Sequence, residues 1–195
     1  MKKYEFTTHM HQSHSTARQI VALVNIPAIG VKAGDYGGWL ASEKNLSHDG
    51  TCWVWDKALV EDDANVSMDA QVSDSARVSG NAIITGRSEV TDNAKVAGCA
   101  VVSGDADVVE SGQVDGRACV FGFATVCGEA HVTDDANICG DAVVEGHAFV
   151  GGDTYVGGEA VVTGYTKLKH KEKVTEDVLP ALTGRVRILR STSKG

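Results

Sequence analysis

From Val54 to Leu168 every sixth residue is aliphatic, 20 positions in unbroken register, and two residues before each stands a small residue, most often alanine. The repeating unit reads V-x-G-[DN]-A-x, as in VSGNA (78–82), VSGDA (102–106) and ICGDA (138–142). A fixed short period of this length is the mark of a β-solenoid. Period 6 belongs neither to a helix nor to an alternating strand. It fits a short strand, a bend and a repeat. Val and Ala point inward, and the residues flanking each Val point outward. Gly, Asn or Asp at the bend accepts the left-handed backbone region that most side chains avoid. Three units close a triangular coil of 18 residues, and coils stack as parallel strands about 4.8 Å apart. The run of 19 steps predicts about 6 coils, a prism roughly 30 Å long. Each fully buried Val contributes roughly 1.5–3 kcal/mol, and β-branched residues suit strands, so a stiff and stable rod is expected.

These hexads resemble the left-handed parallel β-helix, or hexapeptide-repeat, family over residues 54–168. The hand of the coil comes from that resemblance alone, because crossovers are otherwise right-handed. The fold class is therefore all-β, a single-stranded left-handed parallel β-helix (53–168) between an N-terminal cap (1–52) and a basic C-terminal cap (169–195). Caps are needed because a solenoid exposes strand edges at both ends. QIVALVNI (19–26) reads as a strand, and Trp39, Trp53 and Trp55 are placed to cover the first coil. GDYGGW (34–39), SEKNLS (42–47) and CWVWDKA (52–58), running straight into hexads, resemble the YdcK-like group of bacterial and phage hexapeptide-repeat proteins. That resemblance implies a fold and no assigned activity. TTHMHQSHSTARQ (7–19) departs from the pattern. At the other end Val174 keeps the hexad phase, Pro180 stops it, and RVRILR (185–190) reads as an edge strand.

At 195 residues the chain is expected to be one capped domain. It shows no signal peptide and no membrane-length apolar run, and its five cysteines form no CxxC pair, which points to free thiols and a cytoplasmic setting. Charge is divided along the chain. Residues 53–164 carry 19 acidic and 5 basic side chains, a net of −14, whereas 165–195 carry 8 basic and 3 acidic, a net of +5. Asp at tight turns accounts for such a surplus. An acidic mimic of a nucleic-acid backbone is an alternative, and direct nucleic-acid binding is not expected. The basic segment, with Lys167, Lys169, Lys171, Lys173, Arg185, Arg187 and Arg190, is a candidate for binding an anion or a neighbour's acidic body.

Many hexapeptide-repeat proteins are coenzyme A-dependent acyltransferases. The family implies a His general base at a cleft between subunits, often shaped by a loop that leaves the coils. Here the register never breaks between 54 and 168, which argues against that activity. The candidate bases are His131, facing outward between Gln113 and Phe149, and His147, at a bend one coil above Glu129. Other relatives bind zinc through three His; His9, His11 and His14 lack a matching ligand elsewhere and read as cap residues, so no metal is expected. Arg87 is expected to stack between Asp69 and Asp105 as a structural ladder.

One outer face carries an apolar stripe of Ile83, Val101, Cys119, Phe121 and Tyr155. A contiguous exposed apolar stripe marks an interface. The expected assembly is a homodimer or homotrimer with grooves between rods, where this family places nucleotide-containing ligands. The function expected is non-catalytic binding or scaffolding of a host protein or nucleotide ligand, with no membrane partner and no required cofactor. An acyltransferase using a coenzyme A derivative is the runner-up.

Overall fold

The computed structural model describes residues 2–176 and the backbone of two further strands, Val178–Leu179 and Arg187–Ile188. Pro180, Arg185, Arg190 and the side chain of Arg187 lie outside the described residues. Hexads fold as expected into two-residue strands, each ending on its inward aliphatic residue, stacked in parallel at an offset of 18 residues. Three flat sheets result. Face I begins at Trp53–Val54, face II continues from Leu59–Val60, and face III starts at Asn65–Val66. Val, Ile and Ala from all three fill one continuous core in which almost every member is fully buried.

The stack has about eight coils, where the periodicity alone predicts about 6. The additional first coil is built from cap residues. Strands β1 (Tyr4–Met10), β2 (Arg18–Ala22) and β3 (Tyr36–Leu40) extend face II, and β3 runs parallel to Leu59–Val60. Leu40 pairs with Val60 and Leu46 with Val66, both at an offset of 20. Inward residues therefore run Leu40, Leu46, Val54: one normal step of six, then one of eight. Two extra residues at the 47–53 corner hide this coil from a count by six. At the far end, Val178 continues face I and Arg187–Ile188 pairs antiparallel beyond it as the edge strand. Among the described residues no helix is long and apolar enough to cross a membrane.

The corners follow one rule. The second residue after each aliphatic position is left-handed at all 19 corners from Asp56 to Gly164; seven of them are not glycine. The next residue donates its amide to the left-handed carbonyl of the coil above, as in Lys57 N to Asp74 O at 2.9 Å and Arg87 N to Gly104 O at 2.6 Å. The left-handed amide stands outside that ladder. At several corners a carboxylate in the coil below accepts this amide: Asp62 from Gly80 N (2.9 Å), Asp92 from Glu110 N (3.0 Å), Glu110 from Gly128 N (2.7 Å) and Asp134 from Gly152 N (2.8 Å). Of the 19 acidic residues in 53–164, 14 lie at these two corner positions. The acidity of the rod is thus largely corner chemistry.

The cap motifs are equally occupied by packing. A Cβ on Gly38 would lie 2.7 Å from the Ala58 carbonyl and 2.7 Å from Val54 Cγ1, and one on Gly37 would lie 2.9 Å from the Trp53 ring. Ser42 and Asn45 form a reciprocal capping box, and buried Asn45 donates onward to Asp62 O (3.0 Å) and Ala64 O (2.7 Å). Trp53 is fully buried, while its indole N–H has no acceptor among the described residues. Lys3 is only 3% exposed. Its ammonium fills the enlarged corner, donating to Cys52 O (2.9 Å) and Gly50 O (3.4 Å) and lying 3.2 Å from Cys52 Sγ.

Gly38→Ala is expected to cost about 1–3 kcal/mol through overpacking, and Ile138→Val about 0.5–1.5 kcal/mol through a lost methyl group. Urea denaturation midpoints of the two variants check both values and their order.

Candidate functional site

Face III is set apart by what its outward positions lack. The twelve positions flanking the inward residues of its first six strands, from Asn65 to Gly157, carry no charged side chain. The apolar stripe expected there is present: Ile83 is 43%, Phe121 39% and Tyr155 37% exposed, with Val101 and Cys119 half-buried between them. Phe123, at the adjoining corner and 62% exposed, widens the stripe. It escapes a reading that follows only the residues next to each inward position. The Tyr155 ring lies across Gly157, and its hydroxyl meets Cys139 Sγ at 3.1 Å; this hydrogen bond is the chief cause that raises the phenol's pKa.

The two candidate bases occupy different places. His147 sits on the corner between faces I and II. Its Nδ1 is 3.2 Å from Glu129 Oε2, one coil below, and its ring stacks at 4.6 Å and 11° on Tyr165, one coil above. His131 lies on face II with the neighbours expected, Gln113 and Phe149, the latter edge-on at 5.4 Å. It also meets Asp115, its Nε2 being 3.0 Å from Oδ2, and Asp115 in turn accepts from the Thr133 hydroxyl. The stacking interval of 18 does not predict the His131–Asp115 pair. The pair has a sequence signal, a spacing of 16, which joins the position after one inward residue to the position before the inward residue one coil later. The same diagonal links Trp55 to Gln71 (2.7 Å), Glu61 to Arg77 (2.7 Å) and Cys139 to Tyr155.

His11 and His14 come together, ring centroids 5.0 Å apart, but His9 does not join them. His14 bonds Glu61 (3.0 Å), which Arg77 also holds, His11 stands edge-on to Trp39 at 5.0 Å, and His9 contacts Gln19. Burial, then the neighbouring His14, lowers the His11 pKa. Among the described residues no group of three or more His, Cys, Asp or Glu is placed to hold a metal. Burial pushes the Cys52 and Cys127 thiols up, away from nucleophilic use.

Four lysines of the basic segment lie in the last coils. Lys169 sits over the Phe149 ring (5.3 Å), Lys173 over Tyr155 (5.8 Å), Lys171 pairs with Asp153 (3.2 Å), and Lys167 is the face II neighbour of Phe149. Arg87 pairs with Asp105 (2.6 Å) as expected, while Asp69 instead accepts from Thr51. The described depressions in the surface are open. One is lined by Lys2, Glu43, Lys44 and His48, another by residues that include Thr51, Asp69, Gln71, Arg87 and Glu89. Neither contains a candidate base.

No protein-family model matches the chain, and no curated protein matches it.

On face I, Glu89 and Asp107 are neighbours in register on adjacent strands. Burial, then Glu89 and Asp105, raises the Asp107 carboxyl above its ordinary 3.8. A raised carboxyl destabilises the fold fully above its folded pKa, and the penalty shrinks as pH falls below that value and is gone below the ordinary 3.8. Asp107→Asn is therefore expected to stabilise the protein at pH 7 by up to about 1 kcal/mol, the scale of a cross-strand charge pair. Thermal melts of the two proteins from pH 7 downward should converge in acid.

Proposed function

We propose that this chain is a non-catalytic binding or scaffold protein of the hexapeptide-repeat kind, within the YdcK-like group. It self-associates and presents rigid faces, with grooves between rods for a host protein or a nucleotide-containing ligand. The observation that carries this reading is the apolar stripe on face III, whose first six strands carry no charged flanking residue in a chain of net charge −8. An apolar stripe this long on an otherwise charged rod is retained for contact.

A native mass spectrum of gently purified protein tests it. The expected result is an assembly of two or three copies, with added mass of nucleotide or coenzyme A size or a protein partner retained in a pull-down. A bare monomer overturns it.

The second reading is an acyltransferase using a coenzyme A derivative, favoured by the Glu129–His147 pair stacked on Tyr165. A carboxylate that orients an imidazole is the arrangement general-base catalysis uses, and such a base contributes typically about 10²–10⁴ in rate. The scaffold reading predicts no consumption of acetyl-coenzyme A with small amines or alcohols. Turnover that falls at least about a hundredfold in His147→Ala, or in His131→Ala, would establish the second reading instead.

A further inference from the structure

We propose that two copies of this chain pack face III against face III, antiparallel, about a two-fold axis through the coil of Cys119, Phe121 and Phe123. The inference rests on the interface reading above and fixes the partner, the direction and the register.

Face III has seven parallel two-residue strands, and Cys119–Val120 is the middle one. A two-fold axis lying in the face across that strand overlaps all seven with their counterparts. Phe121 and Phe123 then each meet their own copy, and Ile83 meets the partner's Tyr155. Four of the five large apolar side chains of this surface that are more than a third exposed are thus covered by one another; the fifth, Met68, stands at the first corner, outside this set. The flanking corners agree. Arg87 faces the partner's Glu159, and Asp63 faces the partner's Lys171. Two like-charge contacts remain, Asp105 with the partner's Asp141 and Arg117 with its own copy. Asp105 is already paired with Arg87 (2.6 Å) and Arg117 with Asp135 (2.7 Å), so neither Asp105 nor Arg117 arrives uncompensated.

The alternatives are worse on the same residues. An axis along the rod lays the chains parallel, sets Phe123 against the partner's Arg117, and sets Asp63 against the partner's Asp69, Asp135 against Asp141, and Asp153 against Glu159, each twice over; within the chain Arg117 and Lys171 offset only Asp135 and Asp153 among these. Like charges brought together in this way select against an arrangement. Moving the antiparallel axis half a coil either way puts Phe123 opposite the partner's Asp105 or Asp141.

Six strand spacings make the face about 29 Å long, and a hexad edge is about 20 Å wide. The total area covered is therefore on the order of 1,200 Å², at the lower end for specific association. A concentration-dependent dimer follows.

Sedimentation velocity over a dilution series, on the full chain, reads the assembly. The expected result is a reversible monomer–dimer equilibrium, abolished by Phe121→Glu, which places two carboxylates at the axis. Arg87→Glu should weaken dimerisation at least tenfold, and adding Glu159→Arg should restore it. Within one chain these residues lie four coils, about 19 Å, apart. The rescue therefore reads a contact between chains, while melting temperatures control for folding. In protein with Cys99→Ser and Cys127→Ser, a bis-maleimide of about 8 Å reach should join two chains through Cys119, since packed sheets lie about 10 Å apart. A dimer indifferent to the Arg87/Glu159 exchange and not joined at Cys119, or a trimer, overturns this arrangement and leaves self-association standing. A monomer at every concentration overturns both.

Discussion

A chain that turns every six residues has to place a left-handed residue at every corner, and the rest of this molecule follows from how that is done. A left-handed residue with a Cβ costs about 1–2 kcal/mol, yet seven of the 19 corners accept one. Six of the seven are acids. Five of these carboxylates reach up to an amide that the stacked backbone does not use, as Asp134 does for Gly152. At most of the glycine corners a Cβ would crowd the coil above: one on Gly86 would lie 2.6 Å from the carbonyl of Gly104. Corner geometry therefore sets the spacing of coils, the choice between Gly and Asp, and the surplus of negative charge.

Most of the fold is legible in the sequence because one inward residue in six has to be aliphatic and nothing else about the repeat is free to drift. Legibility fails where the interval changes. Leu40 and Leu46 obey the rule, but two extra residues before Val54 break the count, and a coil disappears into what reads as a cap. The enlarged corner is workable because Lys3, more than 40 residues away in sequence, fills it with an ammonium group and offers donors to its carbonyls. No periodicity encodes that contact.

The surface is legible along the columns and less so across them. A spacing of 18 finds Glu129 with His147 and Arg87 with Asp105. It misses Asp115 with His131, which the pleat and the stagger of the coils bring together at 16. The same limit hides Phe123, a corner residue that counts as part of face III only once the prism has edges. Function is the least legible layer. Ion pairs, ring stacks and buried glycines here are what any stacked coil uses to hold its neighbours. A residue type that signals chemistry in an enzyme cleft signals only support in this setting. What distinguishes one face from another is the absence of charge, and absence has no motif.

A stack of identical coils contains no instruction to end. Every coil offers the next the same row of donors and acceptors, which is the geometry of a growing fibre. In this chain the last strands of faces II and III carry Lys167 and Lys173, and Lys169 and Lys173 lie over aromatic rings of the coil below. A second rod arriving end-on would have to bring its own edge against this cluster of ammonium groups and strip them of water. Charge at an exposed strand edge is one of the devices that oppose edge-to-edge growth.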